Sequence, residues 1–261
     1  MSNDHTVRPR PGRGPVLVLG GTTDGRELAT RLLDAGVQVT SSLAGRVADV
    51  RPPEGDVRIG GFGGIAGLVD YLRSRAVCAV VDATHPFAER ITAHAVEACA
   101  LAGSPLVRVA RPSWSARSDA AGWNWVDGLG EAQVRAEGLG RRVFLAIGRQ
   151  DLDQFASWND RYVLARVITA PESALPASWE VISARGPFRR EEEVDLMRSR
   201  GIHVLVTKDS GGPTAAKLDA AALLNIPVVV VRRPPVPAGL TTVASVTEAV
   251  CWVAGVVPTA G

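Results

Sequence analysis

The chain has 261 residues, of which 46% are apolar and 5% aromatic, enough to build a sizeable core in one large α/β domain or two smaller ones. A formal net charge of +2, with the basic residues scattered rather than massed, gives no ground for a nucleic-acid partner. No apolar run reaches the roughly 18 residues of a membrane span, and residues 1–14, polar and rich in Arg, Pro and Gly, lack the about 7–15 apolar residues of a secretory signal and read as a disordered tail.

The spacing predicts a strand over Val16 to Gly20 and a helix over Gly25 to Ala35, with Leu28, Leu32 and Leu33 on one side. Strands follow at Val37 to Leu43 and Val57 to Ile59, then a helix over Ile65 to Ser74 and a buried strand at Val77 to Asp82. A long helix is expected from Pro86 to Ala102, with Pro86 in its first turn, and a strand at Leu106 to Val109. Arg111 to Asp127 holds Pro112 and three tryptophans without a helical period, and reads as a crossover. The alternation then resumes. Strands are expected at Arg142 to Ile147, Arg161 to Ile168, Glu180 to Ile182, His203 to Thr207 and Pro227 to Val231. Helices are expected at Asp151 to Ala156, Phe188 to Arg200, Pro213 to Leu224 and Val246 to Val253. Two successive βα arrays imply an α/β protein of two Rossmann-like halves, residues 15–111 and 112–261, with mainly parallel sheets and a ligand cleft between them.

Four segments follow strands in a way that suits ligand binding. Gly20-Gly21-Thr22-Thr23-Asp24-Gly25 ends the first strand and opens the first helix, where backbone N–H groups and the helix dipole favour phosphate, and the Thr hydroxyls can add donors. It is neither a G-x-G-x-x-G fingerprint nor a Walker A loop, and a plain Gly-rich turn is the competing reading. The second strand ends in Ser41-Ser42-Leu43-Ala44-Gly45-Arg46, with no carboxylate to accept from a ribose 2′-OH. Hydroxyls with an Arg suit a 2′-phosphate, so NADPH is favoured over NADH. In Asp82-Ala83-Thr84-His85-Pro86-Phe87-Ala88 the His85 ring sits at a strand end beside a helix N-terminus, suited to a neutral donor, while Asp82 can brace the turn.

The fourth segment is Thr207-Lys208-Asp209-Ser210-Gly211-Gly212. Of the 29 Lys and Arg residues only Lys208 and Lys217 are lysines. Codon bias explains an Arg excess, yet a compact ammonium at a strand end is a different tool from a guanidinium. Arg149, Arg166 and Arg185 also fall at or just past strand ends, and several cations on one edge suit a polyanionic ligand. Lys217 lies more than two helical turns past Lys208 at about 3.6 residues per turn, and is expected to point away as a surface or helix-stabilising residue. The Tyr-x-x-x-Lys pair of short-chain dehydrogenases and the Gly-x-Ser-x-Gly elbow are absent. Cys78, Cys99 and Cys251 show no CxxC or zinc spacing, so no metal site is expected, and their odd number suits a reducing cytoplasm.

Taken together in order and spacing, these four segments resemble the precorrin-6A reductase family of cobalamin biosynthesis, with the likeness running from about Val16 to the C-terminal helix. The resemblance implies an NADPH-dependent reduction of one C=C bond of a tetrapyrrole-derived polycarboxylate, precorrin-6A to precorrin-6B. The cofactor phosphates would lie at Gly20, Gly21, Thr22, Thr23, Asp24 and Gly25, with Thr84 nearby, and the 2′-phosphate near Ser42, Gly45 and Arg46. His85, Arg149, Arg166, Arg185, Lys208, Ser210, Gly211 and Gly212 would meet the macrocycle, with Lys208 or His85 as proton donor. Neighbouring enzymes of the pathway are candidate partners. The equivalent reduction of a cobalt-loaded macrocycle, a non-catalytic nucleotide or tetrapyrrole carrier, and a dinucleotide enzyme for a small acidic metabolite remain as alternatives.

Overall fold

A computed structural model describes residues 14–43, 53–171, 173–212 and 215–257. The chain divides into two compact units, one ending at Arg111 and resuming at Pro234, the other running from Pro112 to Arg233. The first unit carries β1 (Val16–Leu19), β2 (Val39–Leu43), β3 (Asp56–Ile59), β4 (Ala79–Asp82), β5 (Leu106–Val109) and β12 (Thr242–Val243). Its helices are α1 (Thr23–Asp34), α2 (Gly64–Ser74), α3 (Glu89–Ala102) and α7 (Val246–Val256). The six strands are all parallel and ordered β3-β2-β1-β4-β5-β12, the order of a dinucleotide-binding Rossmann sheet.

Strand alternation shows how this sheet is covered. Val16, Val18, Ala79 and Val81 pack with Leu28, Leu32, Val246, Ala249 and Val253, the inner faces of α1 and α7. Leu17, Leu19 and Val80 turn the other way, onto Leu68 and Leu72 of α2 and Ala95 and Cys99 of α3. Side chains of successive strand residues point to opposite faces, so a run such as Val-Leu-Val-Leu is buried on both sides only when helices cover both.

The second unit contains β6 (Asn124–Val126), β7 (Arg142–Ala146), β8 (Tyr162–Val167), β9 (Trp179–Ser183), β10 (Val204–Lys208) and β11 (Val228–Val231), with α4 (Leu129–Glu137), α5 (Arg190–Ser199) and α6 (Ala216–Leu223). A 3-10 turn, Arg149–Phe155, stands where the sequence suggests a short helix. The sheet order is β9-β8-β7-β10-β11-β6, again all parallel. It repeats the first sheet except at the sixth position. There the second sheet uses β6, which precedes β7 in the chain, and the first sheet uses β12, from the end of the chain.

Three sequence expectations therefore change. The region after Arg111 is more than a crossover: it buries Trp114 and supplies β6, and α4 follows before the alternation resumes. Residues 234–257 do not continue the second half. β12 pairs with β5, and α7 packs on α1, where each fully buried valine contributes on the order of 1.5–3 kcal/mol. The third shift is smaller: α3 begins at Glu89, and His85 to Ala88 form a turn closed by the Ala88 N–H to His85 carbonyl bond of 2.8 Å. Among the described residues no helix is long and apolar enough to cross a membrane.

Candidate functional site

In a sheet of this order the crossovers leave β1 and β4 in opposite directions, opening a crevice at their C-terminal ends. Leu19 and Asp82 are register partners there, so the Gly20 and Ala83 turns adjoin. Thr22 caps α1: its Oγ1 accepts from the Gly25 N–H at 3.0 Å and donates to the Ala83 carbonyl at 2.7 Å. That hydroxyl is thereby taken up in joining the two turns, whereas Thr23 is exposed beside it. Gly21 has φ +108°, a left-handed conformation that favours glycine, and a Cβ there would project into open space. A Cβ on Gly25 would stand 3.2 Å from Gly20 Cα. The result is a bare backbone cradle at a helix N-terminus, whose first N–H groups have no intrahelical acceptor. This cradle fits a nucleotide phosphate. The Asp24 carboxylate forms an ion pair with Arg111 at 2.5 Å, so any part it takes at the cradle falls to its backbone N–H.

Asp82, fully buried, braces the second turn. Its Oδ1 accepts from Thr84 N at 3.0 Å and Thr84 Oγ1 at 2.6 Å, and its Oδ2 accepts from Thr92 Oγ1 at 2.7 Å and from Arg108. Arg108 also reaches the His85 and Pro86 carbonyls at 3.4 Å. The His85 ring accepts from Phe87 N at 3.3 Å through Nδ1, which in the neutral ring places the proton on Nε2. At the neighbouring strand end Ser42 is buried and accepts from Arg58 Nη1 at 3.1 Å, while the buried Ser41 Oγ has no hydrogen-bond partner among the described residues. Gly45 and Arg46 lie outside the described residues.

The second sheet has its own switch point between β7 and β10. Lys208 ends β10 and its ammonium pairs with Asp151, in the 3-10 turn that follows β7. Arg149, just after Gly148, is partly buried and forms no ion pair with any described residue. Next to Lys208, the Asp209 carboxylate is buried and accepts from Ser113 Oγ at 2.7 Å, Trp114 N at 3.0 Å and Arg233 Nε at 2.9 Å. Burial pushes its pKa up, but the bonds from Arg233, Ser113 and Trp114 outweigh burial and hold it below the usual carboxylate range. The turn continues through Ser210, whose N–H bonds the Lys208 carbonyl at 2.7 Å, to Gly211 and Gly212. Trp114 Nε1 donates to the Gly212 carbonyl at 3.0 Å.

Two cations are not held as the sequence suggests. Arg166 is the last-but-one residue of β8, but its side chain is buried there, stacked 3.8 Å from the Phe188 ring centroid and paired with the buried Glu193 of α5. Lys217 does not point away into solvent. It is partly buried, with Nζ 4.6 Å from the Trp114 ring centroid. Burial, with the Arg166 charge adding to it, pushes its pKa down to about 8, and Glu193 offsets only part. Helical periodicity gave the wrong face because α6 begins at Ala216, leaving Lys217 in the first turn near the sheet edge. Arg185 is exposed beyond β9. Sequence reasoning missed Arg58, Asp151 and Arg233, whose partners are up to 57 residues away along the chain. A carboxylate between Lys208 and Ser210 was the one local signal of a bonded turn.

Comparison with known proteins agrees with this geometry. Residues 15–254 match the family model described as precorrin-6x reductase CbiJ/CobK. A precorrin-6A reductase of Rhodococcus erythropolis is 50% identical over 91% of this chain and 96% of its own length. A cobalt-precorrin-6A reductase of Priestia megaterium is 30% identical over 86% of this chain and 92% of its own. A solved structure of CobK precorrin-6A reductase superposes with a TM-score of 0.85 at 41% identity, covering 93% of this chain and 96% of that one. With two Rossmann-type sheets and a family match over nearly all of its length, the chain belongs to the precorrin-6A reductase family of cobalamin biosynthesis.

Proposed function

We propose that the protein uses NADPH to reduce one C=C bond of precorrin-6A, giving precorrin-6B. The observation that carries the choice of substrate is the gap in identity: relatives named for the cobalt-free substrate are 44–50% identical, and those named for the cobalt-loaded one 30%, over similar lengths. The equivalent reaction on cobalt-precorrin-6A is the second reading. Cys78, Cys99 and Cys251 are all free, which suits work in a reducing cytoplasm.

In this reading the Gly20 to Gly25 cradle holds the cofactor phosphates through backbone N–H groups, and the carboxylate-free end of β2 takes the adenosine ribose. Bound NADPH supplies a hydride from its nicotinamide ring. The chain's own part is to orient, to exclude water and to place a proton on the neighbouring carbon. His85 Nε2–H and the Lys208 ammonium are the proposed donors. Arg149, Lys208 and Arg185, with the Ser210 to Gly212 turn, are proposed to meet the substrate carboxylates. Asp151 would exchange its hold on Lys208 for that of a ligand carboxylate, so the ammonium is never buried without an anion.

The test is incubation of the purified protein with precorrin-6A and NADPH or NADH, following absorbance and product mass. A two-hydrogen mass gain with NADPH is expected. No gain with either cofactor refutes the activity, a gain with NADH alone refutes the cofactor assignment, and a gain only with the cobalt-loaded substrate selects the second reading.

A further inference from the structure

Arg58 is the last-but-one residue of β3 and the register partner of Ser42, near the end of β2. Side chains of register partners share a face, and Arg58 lies beside the β2 end at which a Rossmann sheet meets the adenosine ribose of its cofactor. Its guanidinium is held by three bonds: Nη1 to Ser42 Oγ at 3.1 Å, Nη1 to the Gly60 carbonyl at 2.7 Å, and Nη2 to the Gly61 carbonyl at 2.8 Å. The carbon of the guanidinium stands 3.7 Å from the Phe62 ring centroid, and Phe62 is itself braced edge-on by Tyr71. A long cationic side chain that would ordinarily sample many rotamers is thereby fixed in plane and position before any ligand arrives.

The charge is not consumed by this bracing. Its partners among the described residues are a hydroxyl and two carbonyls, none of them a carboxylate. Arg presents five N–H donors. Three serve the bonds above, leaving Nε–H and one N–H on Nη2 without an acceptor among the described residues. These neighbouring donors match two oxygens of one phosphate. Ser42 Oγ, held by Arg58, lies on the same face of the adjoining strand.

The geometry points to Arg58 as the residue that recognises the 2′-phosphate of the cofactor, and so sets the preference for NADPH over NADH. This rests on the reading that the first unit holds NADPH, and deepens it by assigning the discriminating contact to a braced Arg on β3.

The test is calorimetric binding of NADP⁺ and of NAD⁺ to the full chain, in the native form and as Arg58→Gln and Arg58→Lys. The native chain is expected to bind NADP⁺ more tightly. Loss of two charge-assisted bonds in Arg58→Gln should weaken NADP⁺ about 10- to 100-fold while NAD⁺ stays within about 2-fold. Arg58→Lys, which keeps the charge but not the fork, should fall between. If Arg58→Gln weakens both nucleotides equally, Arg58 only braces its loop and the assignment is overturned. Retention of the native preference in Arg58→Gln overturns it as well, while leaving the NADPH reading intact. A native chain that binds neither nucleotide, or both alike, overturns the NADPH reading and the Arg58 assignment with it.

Discussion

Removal of the Asp209 carboxylate should loosen the whole second unit, because one buried group joins three parts of the chain. Asp209 follows β10, Ser113 and Trp114 lie at the start of the unit, and Arg233 is its last residue. Asp209→Ala leaves Arg233 without that carboxylate and strands the Trp114 N–H, whose side chain is only 3% exposed. Breaking a buried charged pair from one side costs about 3–5 kcal/mol, a large part of the roughly 5–15 kcal/mol that stabilises a typical domain. At about 3–5 °C per kcal/mol for a unit of this size, the transition should fall by roughly 9–25 °C. The assay is scanning calorimetry of the full chain, with Arg233→Ala and the double variant completing a cycle. The double variant should cost about 1–3 kcal/mol less than the sum of the singles. The pH dependence has a definite sign. A carboxylate held below its usual range contributes stability that is complete above the unfolded value, near about 3.9, and is lost as pH falls through the lower folded value. Asp209→Ala should therefore lose less stability than the native chain on acidification. A fall of under about 2 °C, or strict additivity with Arg233→Ala, would refute the reasoning.

Lys208→Ala should lower kcat/KM for the macrocycle about 10- to 100-fold while NADP⁺ affinity stays nearly intact, and Lys208→Arg, equal in charge but different in shape, should not restore it fully; unchanged substrate kinetics would count against Lys208. Lys217 offers a stability test. Below about pH 8 its ammonium is charged in both states and the fold bears the full desolvation cost, whereas between about 8 and about 10.4 the unfolded chain holds more protons, so this group makes stability rise with pH. Lys217→Met, which can keep the packing on Trp114, should stabilise the chain at pH 7 by up to about 3 kcal/mol and abolish that rise; a variant no more stable than the native chain in urea titration would contradict it. Gly25→Ala would set a Cβ 3.2 Å from Gly20 Cα and 3.6 Å from Ala83 Cβ. It should cost about 1–3 kcal/mol of stability and weaken nucleotide binding, and calorimetry showing native affinity would reject the cradle.

The strand-ending motifs were legible because their chemistry is local. A Gly pair after an apolar run, followed by a helix with Leu28 and Leu32 on one side, announces a strand, a turn and a helix without reference to anything distant. The apolar runs of β1, β4, β10 and β11 likewise announced parallel strands buried on both faces. The site's charge partners were not legible. Lys208 meets Asp151, 57 residues away, and Asp82 meets Arg108, 26 away, because parallel pairing brings distant strand ends side by side.

Composition, period and turn chemistry thus establish an α/β chain with two Rossmann-like arrays and glycine-rich turns at strand ends, since each depends on a few adjacent residues. Which array receives the last strand and helix depends on pairing instead. β12 is two residues long, too short to carry a period, and the apolar stripe of α7 would suit either sheet equally well. Its place on α1, the burial of Arg166 with Glu193, and the turn of Lys217 inward are settled by which surfaces meet, a property of the assembled sheet that no local window contains.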